Sequence, residues 1–236
     1  MALDLSKYTV TAARPLPVIL LLDGSSSMSL EGKIESLNSA VNEMIQSFKS
    51  LSAKEVDINL GIITFGNAVN YAVPLQSVKD INSVHLDANG ATPMGMALRM
   101  AKDLVEDKET IPSKGYRPAV VLVSDGKPND EWQNPMQAFI KEGRSSKCDR
   151  FAIAIDGEND KADRDVLKMF LEGTENHIYE AADASKIKDC FRQVTMSVSV
   201  RSKSKDPNKL IALPPAAENI AKNNDFMKEL DALLGD

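Results

Sequence analysis

The chain has 236 residues, 34 acidic against 28 basic, a formal net charge of -6, and an apolar fraction of 43%. That balance fits a globular protein able to bury its own core, and excludes disordered and fibrous classes. An acidic chain without clustered Lys and Arg is a poor partner for nucleic acid. The early apolar run, Val18 to Leu22, is far too short to span a bilayer. The first residues lack the pattern of a signal peptide. With two cysteines, Cys148 and Cys190, the chain reads as cytoplasmic with reduced thiols.

Taken in order, Pro17 to Leu22 is a continuous apolar run ending at Asp23-Gly24, the pattern of a strand buried on both faces. Ile34, Leu37, Val41, Met44, Ile45 and Phe48 then form one helix stripe. Val56 to Phe65 is strand-like, and Gly66-Asn67 turns into a second run, Ala68 to Val73. Such a short link predicts an antiparallel edge pair. Met94, Ala97, Leu98, Ala101, Leu104 and Val105 predict a helix, with Thr92-Pro93 as its cap and first turn. Ala119 to Val123 is a buried strand closed by Ser124-Asp125-Gly126. A weaker helix carries Met136, Phe139 and Ile140, followed by a strand over Phe151 to Ile155. A short helix at Val166, Leu167 and Phe170, a strand at His177 to Tyr179, and a helix lined by Ile187, Cys190, Phe191, Val194 and Val198 complete the alternation. The fold expected is α/β: a doubly wound, mostly parallel sheet with one antiparallel edge strand and helices on both faces. The domain runs over residues 14–200. Residues 201–236 are expected as a linker, with Arg201, Lys203 and Lys205, and a tail whose Ile220, Met227, Leu230 and Leu234 share a helix face.

Asp23-Gly24-Ser25-Ser26-Ser27-Met28 follows the first strand directly and precedes a helix. It therefore sits at the carboxyl edge of the sheet, where ligands of open α/β sheets bind. Thr92 and Asp125 occupy equivalent loops. Two carboxylates and three hydroxyls, without Cys or His, suit a hard cation: Mg²⁺, Mn²⁺ or Ca²⁺. A cation held by hydroxyls stays under-neutralised and attracts an external carboxylate.

These residues resemble the von Willebrand factor A domains that carry a metal-ion-dependent adhesion site. Asp23, Ser25 and Ser27 match its Asp-x-Ser-x-Ser motif, Thr92 its threonine and Asp125 its second aspartate. Leu122-Val123-Ser124-Asp125-Gly126-Lys127-Pro128-Asn129-Asp130 and Ala91-Thr92-Pro93-Met94-Gly95-Met96-Ala97-Leu98 look most like the bacterial TerY-type proteins of tellurite-resistance and stress operons. Ser26 stands where Gly is common, and Met28 to Gly32 is longer than the usual bacterial version. The resemblance implies a non-enzymatic module whose protein partner supplies Asp or Glu to the metal, in a setting that often includes a kinase and a phosphatase. A metal-assisted phosphohydrolase and a metal-independent scaffold are the alternatives. The sequence shows no phosphate-binding glycine loop and no His or Lys in an evident base position, although Lys127 stands near the metal loop. His85 and His177 read as ordinary histidines. Trp132 reads equally as an interface residue and as packing for the next helix.

Overall fold

A computed structural model describes residues 15–52, 57–158 and 161–203. Six strands, β1 (Pro15–Asp23), β2 (Asp57–Phe65), β3 (Val69–Ser77), β4 (Ala119–Ser124), β5 (Asp149–Ile155) and β6 (Ile178–Ala181), form one sheet in the order β3-β2-β1-β4-β5-β6. All neighbours are parallel except β2 and β3, so the antiparallel edge pair is where the short turn placed it. β3 runs on past Val73 and through Pro74, which an edge strand tolerates because one side of it has no ladder to supply.

Among the described residues, five α-helices cover the sheet: α1 (Lys33–Ser52), α2 (Met94–Glu106), α3 (Gln133–Lys141), α4 (Arg164–Leu171) and α5 (Ile187–Lys203). Strand residues alternate between two cores. Val18, Leu20 and Leu22 join the side chains of α1 and α5, whereas Ile19 and Leu21 join those of α2, α3 and α4. Each fully buried Val, Leu or Ile contributes roughly 1.5–3 kcal/mol, and these residues make up most of the central strands β1 and β4. Cys190 lies in the first core and Cys148 in the second, with the sheet between them, and they form no disulfide with each other. α5 continues to Lys203, three residues into the stretch expected as linker. The rest of that stretch and the expected tail helix (Ile220, Met227, Leu230, Leu234) lie outside the described residues.

One connection has no regular structure yet is tightly fixed. Asn38 and Asn42, one turn apart on α1, each clamp one residue of the 81–93 segment. Asn38 accepts from the Leu86 amide at 2.8 Å and donates to its carbonyl at 2.9 Å; Asn42 does the same for Val84, at 2.9 and 2.8 Å. The side-chain amides stand in for a neighbouring strand, satisfying backbone groups that have no ladder. The clamped segment leads straight to Thr92.

Candidate metal centre

β1 and β4 are neighbours in register, Leu22 opposite Val123, so their carboxyl ends bring Asp23 and Ser124-Asp125 together. Asp23 is fully buried. Its Oδ1 accepts the Ser25 amide at 2.9 Å and its Oδ2 accepts the Ser124 hydroxyl at 2.6 Å. Burial is the larger effect on this carboxyl and pushes it up to about 6. The hydrogen bonds from Ser124 and Ser25 pull the other way, and the charge of Asp125 adds to the rise. A cation beside it would favour the ionised form.

The serines face one another across the next residue: Ser25 Oγ and Ser27 Oγ are 3.0 Å apart, and Ser27 Oγ donates to Asp125 Oδ1 at 2.8 Å. The other oxygen of Asp125 accepts from Lys33 Nζ at 2.8 Å, and both partners of this ion pair are buried. Asp23, Ser25, Ser27 and Asp125 therefore form one hydrogen-bonded cluster with Ser124 and Lys33 behind it.

Thr92 itself is bonded to Asn129 and not to this cluster; its loop is joined to the serine loop through the backbone of its neighbours. The Asn89 amide donates to the Gly24 carbonyl at 2.8 Å and the Ser26 amide to the Gly90 carbonyl at 3.1 Å, joining the threonine loop to the serine loop. Gly66 lies tight against both loops: a Cβ there would stand 2.5 Å from the Gly24 carbonyl oxygen and 2.7 Å from that of Asn89. On the other side, Asn129 Oδ1 accepts the Thr92 amide at 3.2 Å and the Asn129 amide donates to the Thr92 carbonyl at 3.2 Å. All three loops thus converge at one edge of the sheet.

The expectation that Thr92-Pro93 caps α2 is corrected. Pro93 stands at the N-cap and makes no side-chain capping bond, and Asp130, from the loop after β4, caps the helix instead. Its two carboxylate oxygens accept the Gly95 and Met96 amides, each at 3.0 Å. The helix therefore makes no demand on the Thr92 hydroxyl. A second difference concerns Lys33: the sequence reading considered Lys127 beside the metal loop and did not single out Lys33, yet the first residue of α1 delivers an ammonium to Asp125. Ser124, Asn129 and Asp130 lay in a stretch singled out for its motif, but their supporting bonds carry no sequence signature. Lys33 carried none beyond its position after Gly32.

The other residues considered take ordinary places. Lys127 is exposed. Trp132 is half-buried and packs on the α2–α4 core, the packing alternative. His85 is 82% exposed, with Asp87 3.5 Å away, and His177 packs at a tilt of 50° against Tyr179 with ring centroids 4.7 Å apart. Burial holds the His177 imidazole below its usual range. Among the described residues, no group of three or more His, Cys, Asp or Glu side chains is arranged to hold a metal, so a cation here needs the hydroxyls. Also among them, no helix is long and apolar enough to cross a membrane.

The donor chemistry fits a hard divalent ion: hydroxyl and carboxylate oxygens, with neither thiol nor imidazole at hand. Known proteins agree on the fold. No curated protein sequence matches the chain. Similar solved structures include proximal thread matrix protein 1 from the mussel byssus (19% identity, TM-score 0.58, 78% of this chain and 48% of that one). A second form of that protein is described as having a zinc-occupied MIDAS motif (16% identity, TM-score 0.56, 78% and 48%). The ArnB paralog VWA2 from Sulfolobus acidocaldarius is also similar (17% identity, TM-score 0.53, 79% and 44%). The chain spans about half the length of these proteins. The model of the von Willebrand factor type A domain matches residues 18–193. With three quarters of its length matched and the six-stranded sheet in place, the chain belongs to the von Willebrand factor type A domain family.

Proposed function

We propose that this protein is a non-enzymatic binding module that holds a divalent cation at the β1–β4 edge and captures an acidic residue of a protein partner through it. The observation that carries this reading is the single cluster of Asp23, Ser25, Ser27 and Asp125 at the ends of adjacent central strands. The Ser25, Ser27 and Thr92 hydroxyls are the residues that would ligate the ion. Asp23 and Asp125 would support them from behind, since their oxygens already serve Ser25, Ser124, Ser27 and Lys33. When bound, the cation supplies Lewis acidity and positive charge.

The oxygen donors favour Mg²⁺ or Mn²⁺, with Ca²⁺ a further hard ion of the same class. The zinc described for the mussel protein makes the resident ion a matter for measurement. Domains of this family generally bind protein partners through such a site, which supports the partner reading. A non-catalytic role is supported by the groups present: Lys33 is charge-paired and buried, and His85 and His177 make their contacts with Asp87 and Tyr179, outside the cluster. The resemblance to TerY-type proteins points to a bacterial stress or defence system, with a kinase or phosphatase as the kind of neighbour to test.

Affinity capture with Mg²⁺ and with excess chelator, comparing wild type with Thr92→Ala, tests this function. Partners retained only by wild type with Mg²⁺ are the expected result. Equal retention in chelator contradicts it.

A further inference from the structure

Lys33 is among the largest side chains that the fold buries completely, at 1% exposure. A buried ammonium is costly unless paired, and lysine is seldom buried at all. Its position makes the choice odder, because the first residue of α1 sits at the positive end of the helix dipole, where a cation is disfavoured. Neither helix formation nor core packing asks for a lysine here. Asp125 does: Oδ2 accepts from Lys33 while Oδ1 accepts from Ser27, so the ammonium takes one carboxylate oxygen and leaves the other facing the hydroxyls. Gly157, just after β5, keeps the space open. A Cβ there would lie 3.1 Å from Lys33 Nζ and 2.8 Å from Glu31 Oε2.

We propose that Lys33 sets the charge of the cation site, staying paired with Asp125 when the divalent ion binds, so that the ion is held less tightly and keeps net positive charge for an incoming carboxylate. The formal arithmetic is direct. Two aspartates and a divalent ion sum to zero, and the added lysine brings the assembly to +1. A neutral assembly has little reason to recruit an anion, whereas a positive one does. The inference rests on the cation-binding reading above and deepens it. Lys33 is a positioning residue, acting on the ion through Asp125.

Calorimetric titration of Mn²⁺ into wild type and Lys33→Met tests it. The variant is expected to bind Mn²⁺ about tenfold more tightly, because a unit charge close to the ion has been removed. It is also expected to unfold at a lower temperature without the ion, because Asp125 loses its partner. Unchanged or weaker Mn²⁺ binding by folded Lys33→Met overturns the proposal. Nitrogen-15 NMR of the lysine ammonium groups asks the same question of wild type. A slowly exchanging Lys33 signal that persists at saturating Mg²⁺ supports continued pairing, and its loss on adding Mg²⁺ overturns it. A wild type that takes up neither ion, its Lys33 signal intact, sinks the function proposed above and this inference with it.

Discussion

Asp130 Oδ1 accepts the amide of Gly95, 35 residues earlier in the chain, at 3.0 Å, so the loop after β4 caps the start of α2. The same carboxylate takes the Met96 amide, and the neighbouring Asn129 pairs with the backbone of Thr92. One short stretch thus caps the start of a helix and holds the backbone of a candidate metal ligand. Asp130→Ala is expected to cost about 1 kcal/mol in thermal or urea unfolding, the usual value of a lost cap. It is also expected to weaken Mn²⁺ binding, because Thr92 loses part of its support. Stability loss without any change in Mn²⁺ affinity would show that the cap does not position the threonine.

Gly95 is where α2 meets that loop most closely. A Cβ on it would collide with the Glu131 carbonyl oxygen and stand 2.8 Å from Trp132 Cα. Alanine is the better helix former by about 1 kcal/mol, so helix propensity alone predicts that Gly95→Ala stabilises. Overpacking against backbone costs about 1–3 kcal/mol and outweighs that gain. A lowered denaturation midpoint is expected. A raised midpoint would mean that the loop gives way freely.

At the other side of the sheet edge, Arg164 holds Asp156 with two bonds of 2.6 and 2.7 Å and reaches Glu180 at 2.6 Å. Burial would raise the Asp156 carboxyl, but Arg164, the Ala162 amide and Lys161 together hold it below its usual range. A depressed carboxyl contributes stability that is present above its unfolded value, about 3.9, and is lost as pH falls through the folded one. Asp156→Asn is expected to cost about 2 kcal/mol at pH 7, the scale of a charged hydrogen-bonded pair. Its deficit relative to wild type should shrink below about pH 4. A deficit independent of pH in unfolding titrations would assign the loss to packing.

Cys190 is enclosed between α1, α5 and the sheet, and its thiol is pushed up to about 12 by burial, with Asp189 and Glu180 adding to the effect. The thiolate is the reactive form, so native protein at pH 8 should resist iodoacetamide at this position while unfolded protein reacts. Mass spectrometry of digests from both states checks this. Rapid alkylation of Cys190 in the native state would show that the α1–α5 core opens readily.

The fold was legible because its strands are continuous apolar runs such as Ala119 to Val123, broken by short polar loops, and the helices keep a clean stripe. The site was legible where chemistry and position coincide: Asp23, Ser25 and Ser27 lie at the end of a buried strand, in a loop too short to lead elsewhere. What the sequence hid were contacts made across space. Lys33 looks like any charge at a helix start until the sheet brings Asp125 to it, 92 residues on. Asn38 and Asn42 look like polar residues of an exposed helix face. Their role as clamps exists only when an irregular segment lies alongside. Thr92 was given the wrong local duty, because its neighbour in the chain was a proline and the cap came from a distant loop.

Anomalous scattering from Mn²⁺-soaked crystals tests the cation site most directly. A single strong peak bounded by the Ser25, Ser27 and Thr92 hydroxyls, with Asp23 and Asp125 behind it and Lys33 still on Asp125, is the predicted result. Ordered crystals that give no peak there at saturating Mn²⁺, or a peak only elsewhere on the molecule, would contradict it.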